Sequence, residues 1–343
     1  MKSKILPNQK WTDILKVKNT RRDTLKKIAW TTPVIASVPL PLHAMMTPQM
    51  DCVLDYAAGS DSIFIVPEGV TSLAVEVAGA VGGPGGIERF IGPSPGGQGA
   101  IITGTFPVTP GDTVRIVAGV SGGPGSDHFD FSASAPLIGG IGGFGYGTGG
   151  DGGSANPGVL TAMTGGGGGG GGSAILVNST PVVIAGGGGG GGGAQGNTRR
   201  DGSGSISPPR TGPGGAGGDF ESMGGEGWTC IGGSGGSGGV GGSGGTTNGS
   251  DDGANGGIFN GGLGGTNLGG GNGASGGGGG GGYGGGGGGG GMRGAPTGLG
   301  VIGGTGAGGG GGGNFLSPGT ALTSANPGDG YVTIQWLEES CSA

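Results

Sequence analysis

The chain has 343 residues, 107 of them glycine, and none of those glycines lies in the first 50 residues. Beyond residue 50 more than one-third of the chain is glycine, about five times ordinary usage, and too few side chains remain to pack the large core that most enzymes need. From Asp51 onward, six arginines and no lysine face 19 acids, a formal charge of −13, which argues against binding nucleic acid or an anionic membrane.

The first segment reads as an address. Nine of the 15 Lys and Arg residues precede residue 30, and Thr20-Arg21-Arg22-Asp23-Thr24-Leu25-Lys26 resembles the twin-arginine export signal, Ser/Thr-Arg-Arg-x-Phe-Leu-Lys. Thr24 stands where phenylalanine is usual, while Arg21, Arg22, Leu25 and Lys26 match. The apolar stretch 28–42 is interrupted by Pro33, Pro39 and Pro41, so it is too short and too broken to span a membrane stably. Leu42-His43-Ala44 is an imperfect small-residue cleavage site, which places cleavage after Ala44. The resemblance implies a prokaryotic protein exported already folded, to the periplasm, the cell surface or the medium. Many passengers of that route carry cofactors. Beyond Ala44, however, the chain has one histidine, His128, and three widely spaced cysteines, Cys52, Cys230 and Cys341. No metal-ligand spacing is present and no cofactor is expected.

After a linker over 45–61, seven short segments rich in Val, Ile and Thr predict β-strands: 63–66, 73–79, 100–106, 113–118, 174–177, 182–185 and 331–336. Leu73, Val75 and Val77 alternate with Ala74 and Glu76, and Val332, Ile334 and Trp336 alternate with Thr333 and Gln335. Three connections are short turns (67–72, 107–112 and 178–181), and three are long and glycine-rich (80–99, 119–173 and 186–330). Short and long strictly alternate. Antiparallel strands would then place these short turns at one end and every glycine insertion at the other.

The insertions contain unbroken glycine runs at 165–172, 186–193, 276–282, 284–291 and 308–313. One reading is flexible linker. The other is packed polyproline-II-like helices of glycine, which rise about 3.1 Å per residue and make no internal hydrogen bonds, so an eight-residue run spans roughly 25 Å and must pair its amides with neighbours. Isolated apolar residues such as Ile138, Ile141, Phe144 and Tyr146, and the return to a well-formed last strand, favour the second. The expected fold is all-β: a small antiparallel β-sandwich over 62–337 with a polyglycine helix bundle inserted at one end, followed by a tail over 338–343.

The order Phe64-Ile65-Val66-Pro67-Glu68-Gly69-Val70-Thr71-Ser72, Val75-Glu76-Val77-Ala78-Gly79-Ala80, Gly97-Gln98-Gly99-Ala100 and Val108-Thr109-Pro110-Gly111-Asp112-Thr113 is followed by Val183-Ile184-Ala185 running into eight glycines and by Gly328-Asp329-Gly330-Tyr331-Val332-Thr333-Ile334. This ordered set, over about 62–337, resembles the glycine-rich domain of the receptors anaplastic lymphoma kinase and leukocyte receptor tyrosine kinase, which also occurs in bacterial surface proteins and phage tail adhesins. The resemblance implies a β-sandwich fused to polyglycine helices. It implies no kinase here, and no ligand-binding residue transfers to this chain.

Candidate sites are few. Gly232-Gly233-Ser234-Gly235-Gly236 satisfies the nucleophile-elbow pattern but follows no strand and has only His128 as a base, so no catalytic residue is assigned. Asp127 and Asp130 flank His128, and Asp251-Asp252 lie in a loop; acids in such loops either hold calcium or are simply solvated, and the latter fits better because no aspartate repeat is in register. Cys52 lies before the first expected strand and Cys341 after the last, so they either form a disulfide joining the ends of the domain or remain two thiols. Arg199, Arg200 and Arg210 form the one basic patch, an exposed loop and a possible contact surface. Phe129, Phe131, Tyr146, Trp228 and Tyr283 serve either as contact residues at loop tips or as local packing.

The leading expectation is a non-enzymatic exported scaffold for adhesion or recognition, binding a surface protein or a glycan. A self-associating matrix protein is the alternative. Ice binding, for which the sequence has no Thr-x-Thr array, and an exported enzyme rank below them.

Overall fold

The computed structural model describes residues 50–87, 92–127, 137–155, 162–196, 223–226, 230–247, 252–266, 274–291 and 305–338. They form twelve β-strands and no α-helix. In chain order these are β1 (Met50–Tyr56), β2 (Asp61–Ile65), β3 (Ser72–Ala78), β4 (Gly99–Pro107), β5 (Thr113–Val117), β6 (Ala162–Met163), β7 (Ser173–Val177), β8 (Thr180–Ala185), β9 (Gln195–Gly196), β10 (Phe315–Leu316), β11 (Thr320–Asn326) and β12 (Tyr331–Glu338). Two five-stranded sheets carry the fold, one ordered β1-β12-β3-β4-β11 and the other β10-β8-β7-β5-β2, with every pairing antiparallel. β6 and β9 pair separately.

Alternation decides the core. On β3, Leu73, Val75 and Val77 turn inward and are buried. They meet Ile102, Phe106, Val332, Ile334 and Trp336 of the same sheet, and Phe64, Val114, Ile116, Ile175 and Val183 of the other, in one cluster. A single apolar cluster lined by both sheets is compatible with a β-sandwich. Phe64 and Trp336 cross it with ring centroids 5.1 Å apart.

All seven expected strands are present, most of them extended by a residue or two. Five further elements escaped the sequence reading: β1, the two-residue β6 and β9, β10 and β11. β1 occupies the stretch expected to be a linker, so Cys52 sits inside a strand, opposite Trp336, rather than ahead of the first one. Its inward residues are Cys52 and the partly buried Leu54 and Tyr56, with two aspartates between and before them, which dilutes the apolar signal. β10 and β11 lie within the region expected to be the last glycine insertion. β11 is an edge strand, exposed along most of its length and therefore free of the apolar alternation that marks half-buried strands.

By the antiparallel order the glycine insertions 79–98, 118–172 and 186–314 leave and rejoin the two sheets at one end, and the turns 66–71, 108–112 and 178–179 lie at the other. Two short connections, 57–60 and 327–330, lie at the glycine end, where Gly59 N–H bonds Ala118 O at 3.0 Å and Gly330 N–H bonds Gly119 O at 3.0 Å. Ser173 fastens the sheets together there. Its hydroxyl accepts from Gly119 N–H at 2.8 Å and donates to Ala78 O at 2.6 Å.

Beyond the sheets, glycine pairs with glycine. In the run 165–172 every amide donates and every carbonyl accepts, at 2.7–3.1 Å. The partners recur every third residue. Gly165, Gly168 and Gly171 donate to Ser126, Gly123 and Val120; Gly166, Gly169 and Gly172 donate to Gly153, Gly150 and Gly147; Gly167 and Gly170 donate to Gly191 and Gly188. The carbonyls accept, with the same spacing, from segments 80–86, 140–146 and 278–281. One run is thus surrounded by six others. A Cβ built on Gly169 would overlap the Gly279 carbonyl, so only glycine fits at this depth.

Candidate contact surface

Several of the sequence candidates fall outside the described residues: Arg21, Arg22, Leu25, Lys26 and Ala44 of the export signal, Arg199, Arg200 and Arg210, Cys341, and also His128, Phe129, Asp130, Phe131, Trp228 and Asp251. Cys52 is buried and disulfide-bonded. Cys230 is buried, and its backbone bridges to Thr247.

The polar side chains of the glycine loops serve the backbone. Ser234 Oγ accepts from Ser243 N–H at 2.7 Å and contacts Ser243 O at 3.4 Å, so the hydroxyl of the elbow-like motif completes a local backbone pairing. Asp127 accepts from Ile87 N–H at 2.6 Å and Asp252 from Thr247 N–H at 2.7 Å. Asp151, Asn255, Asn260 and Asn314 do the same for Gly142, Gly244, Thr148 and Gly186. Where a glycine segment lacks a neighbouring carbonyl, a short side-chain oxygen takes its place. No cluster of three or more His, Cys, Asp or Glu suited to a metal ion occurs among the described residues.

Tyr146 and Tyr283, two of the aromatics singled out in the sequence, come together through residues it did not single out for this role. Tyr146, Phe259, Tyr283 and Phe315 form a row with successive centroid separations of 5.3, 6.2 and 5.2 Å. The row packs on Ala174, Leu176 and Ile184, covering part of the outer face of the second sheet.

Beside this row lies an open cleft of about 500 Å³, lined by Ile63, Thr113, Arg115, Tyr146, Leu176, Asn178 and Ser179. Its floor follows from register: Ile63 of β2 pairs with Arg115 of β5, which pairs with Leu176 of β7. Arg115 is the one cation among the described residues. Its Nε and Nη2 meet both carboxylate oxygens of Asp61 at 2.9 and 2.8 Å, a bidentate pair. That bonding holds the Asp61 carboxyl below the usual carboxylate range and raises Arg115 further. The β7–β8 turn closes one side. Asn178 and Ser179 have φ of 48° and 67°, the left-handed pair that a two-residue hairpin requires. The Asn178 side-chain amide is engaged at both its oxygen and its nitrogen, accepting from Thr113 N–H at 3.0 Å and donating to Asp112 at 2.8 Å. Ile63 stays 68% exposed on the lip. Neither Asp61 nor Arg115 stands out in the sequence, because their meeting depends on the β2–β5 register.

A second trough crosses the outer face of the first sheet over Ala74, between Gln335 and Thr105, with Glu76, Thr103 and Thr333 beside it. Thr333 donates to Asp55 at 2.7 Å, and Tyr331 OH donates to Glu76. Burial and that bond push the Tyr331 phenol up to about 12.

No protein-family model and no curated protein matches the chain. Among the described residues, no helix is long and apolar enough to cross a membrane.

Proposed function

We propose that this is an exported, non-enzymatic protein of the cell surface or extracellular space, in which a β-sandwich carries a rigid bundle of polyglycine helices that holds a recognition surface for a surface protein or a glycan. The observation that carries this reading is the three-residue recurrence of partners around 165–172, with all of its amides and carbonyls engaged. Three residues per turn is the period of the polyproline-II helix, and six surrounding partners is what close packing of such helices allows when no side chain intervenes. A flexible tether would leave those groups to water. The twin-arginine-like segment supports export, and the motif order resembling receptor glycine-rich domains supports recognition.

The purified protein, applied to an array of bacterial and host surface glycans and to purified surface proteins, is expected to give saturable binding to a restricted ligand class while it sediments as a discrete species. The absence of binding, together with assembly that grows with concentration, would overturn this reading in favour of a self-associating matrix protein. One feature favours that second reading. Ile138, Ile141 and Phe144 lie at three-residue spacing along an outer segment, 65%, 75% and 49% exposed, forming an apolar ridge.

A further inference from the structure

The geometry points to the cleft between Ile63, Arg115, Leu176, Tyr146 and the Asn178–Ser179 turn as a binding site for a neutral pyranose residue of a glycan. This rests on the recognition reading above and names its ligand class. A pyranose has an apolar face of C–H groups and a rim of hydroxyls, so its site needs an apolar wall beside fixed polar atoms. Tyr146, Leu176 and Ile63 supply the wall. Arg115 supplies the polar edge, and Asp61, outside the lining, holds its guanidinium in place. Two bonds fix their planes against each other, while Arg115 Nη1 has no hydrogen-bond partner among the described residues. A sugar hydroxyl can accept from that Nη1, beside Thr113 and Ser179 on the same lining.

Charge selects against an acidic ligand. The single described cation is already neutralised by Asp61, and the chain from Asp51 onward carries −13, so an anion meets no uncompensated positive group among the described residues. The volume of about 500 Å³ lies within the range of small-molecule clefts, roughly 300–1,000 Å³. The walls are also set in advance. The aromatic row holds Tyr146, the left-handed turn fixes Ser179, and the engaged Asn178 amide anchors that turn to β5. Preorganisation of this kind lowers the entropic cost of binding. The trough over Ala74 has polar groups but no aromatic or branched aliphatic residue beside them on the row of Gln335, Ala74 and Thr105. The ridge of Ile138, Ile141 and Phe144 is apolar without any polar edge.

The test is a titration of the ¹⁵N-labelled protein with methyl β-D-glucopyranoside, methyl β-D-galactopyranoside and methyl α-D-mannopyranoside, with D-glucuronate as the charged comparator. At least one neutral glycoside is expected to shift the Arg115 Nε–H, Tyr146 and Leu176 resonances saturably, with Kd of about 1–10 mM, as suits a single sugar. Tyr146→Ala and Arg115→Gln should each weaken that binding about tenfold, a loss of about 1.4 kcal/mol. Ile63→Ser, at an exposed position that folding does not depend on, should weaken it too, so the test survives if either of the others fails to fold. No saturable shift at these resonances, or glucuronate binding tighter than every neutral glycoside, would overturn the inference. So would ligand binding on the array that is unchanged in Tyr146→Ala and Ile63→Ser, and that result would leave the recognition reading standing.

Discussion

Gly169→Ala tests the glycine body at its centre. The added methyl points at the Gly279 carbonyl, which already accepts from Gly150 N–H at 2.8 Å. Gly150 in turn accepts from Gly169 N–H at 2.9 Å, so displacing Gly279 disturbs a relay of linked backbone bonds. Overpacking a dense interior costs about 1–3 kcal/mol. One buried backbone group left without a partner costs about 1–3 kcal/mol more. Alanine regains about 0.4–1 kcal/mol by restricting the unfolded chain. The net loss is about 1–6 kcal/mol, a large share of the roughly 5–15 kcal/mol that holds a domain together. Gly92→Ala is the control. Gly92 is exposed, its added Cβ would meet nothing within 4 Å, and its φ lies outside the left-handed region, so the substitution should be neutral or slightly stabilising. Urea unfolding followed by fluorescence of the core Trp336, together with amide exchange across 165–172, measures both variants. Equal midpoints and equal exchange for the two would refute the packed-bundle reasoning.

Amide exchange on the unmodified protein should show protection throughout 165–172 and at the paired amides of 186–193 and 284–291, such as Gly187, Gly190, Gly286 and Gly289; exchange there at unstructured-peptide rates would contradict the pairing. Ser173→Ala strips partners from Gly119 N–H and Ala78 O at a buried joint and should cost about 1–3 kcal/mol in a denaturant titration. Non-reducing peptide mapping should recover Cys52 joined to Cys341, and a Cys52–Cys230 peptide would count against that pairing. Asp112 is held low by the Thr109 N–H first and then by the Asn178 amide, and Asp61 is held low by Arg115. Carboxyls with depressed folded pKa stabilise above their unfolded value and lose that contribution as pH falls, so the unfolding midpoint should drop below pH about 4 and drop less in Asp112→Asn. Tyr331 shows the opposite sign. Its raised pKa of about 12 contributes fully below its ordinary value of 10.0 and is lost as pH climbs through 12, which absorbance of tyrosinate and its disappearance in Tyr331→Phe will follow.

Local chemistry wrote much of this fold into the sequence. Period-two alternation over Leu73, Val75 and Val77 marks a half-buried strand wherever it occurs, and alternation of short and glycine-rich connections places the insertions at one end through the geometry of antiparallel pairing alone. The glycine runs likewise declare that no side chain intervenes, the condition for close backbone approach. Strands without a strong apolar face were not legible: β11 is an exposed edge, and β1 fully buries Cys52 alone, with Leu54 and Tyr56 partly covered. Nor could the sequence tell which glycine meets which, because identical residues carry no address. The partners of Gly169, at positions 143 and 150, are selected by the fixed ends of the strands and the lengths between them. The same holds for the cleft. Tyr146 stood out as an aromatic in a glycine loop, but Asp61 and Arg115 become a fixed pair only when β2 and β5 align, and Tyr146 joins them only when a separate insertion packs back on the sheet. Composition permitted backbone to pack on backbone; tertiary structure decided that it does and which segments meet, because that choice depends on strand register and chain closure, neither of which any single residue encodes.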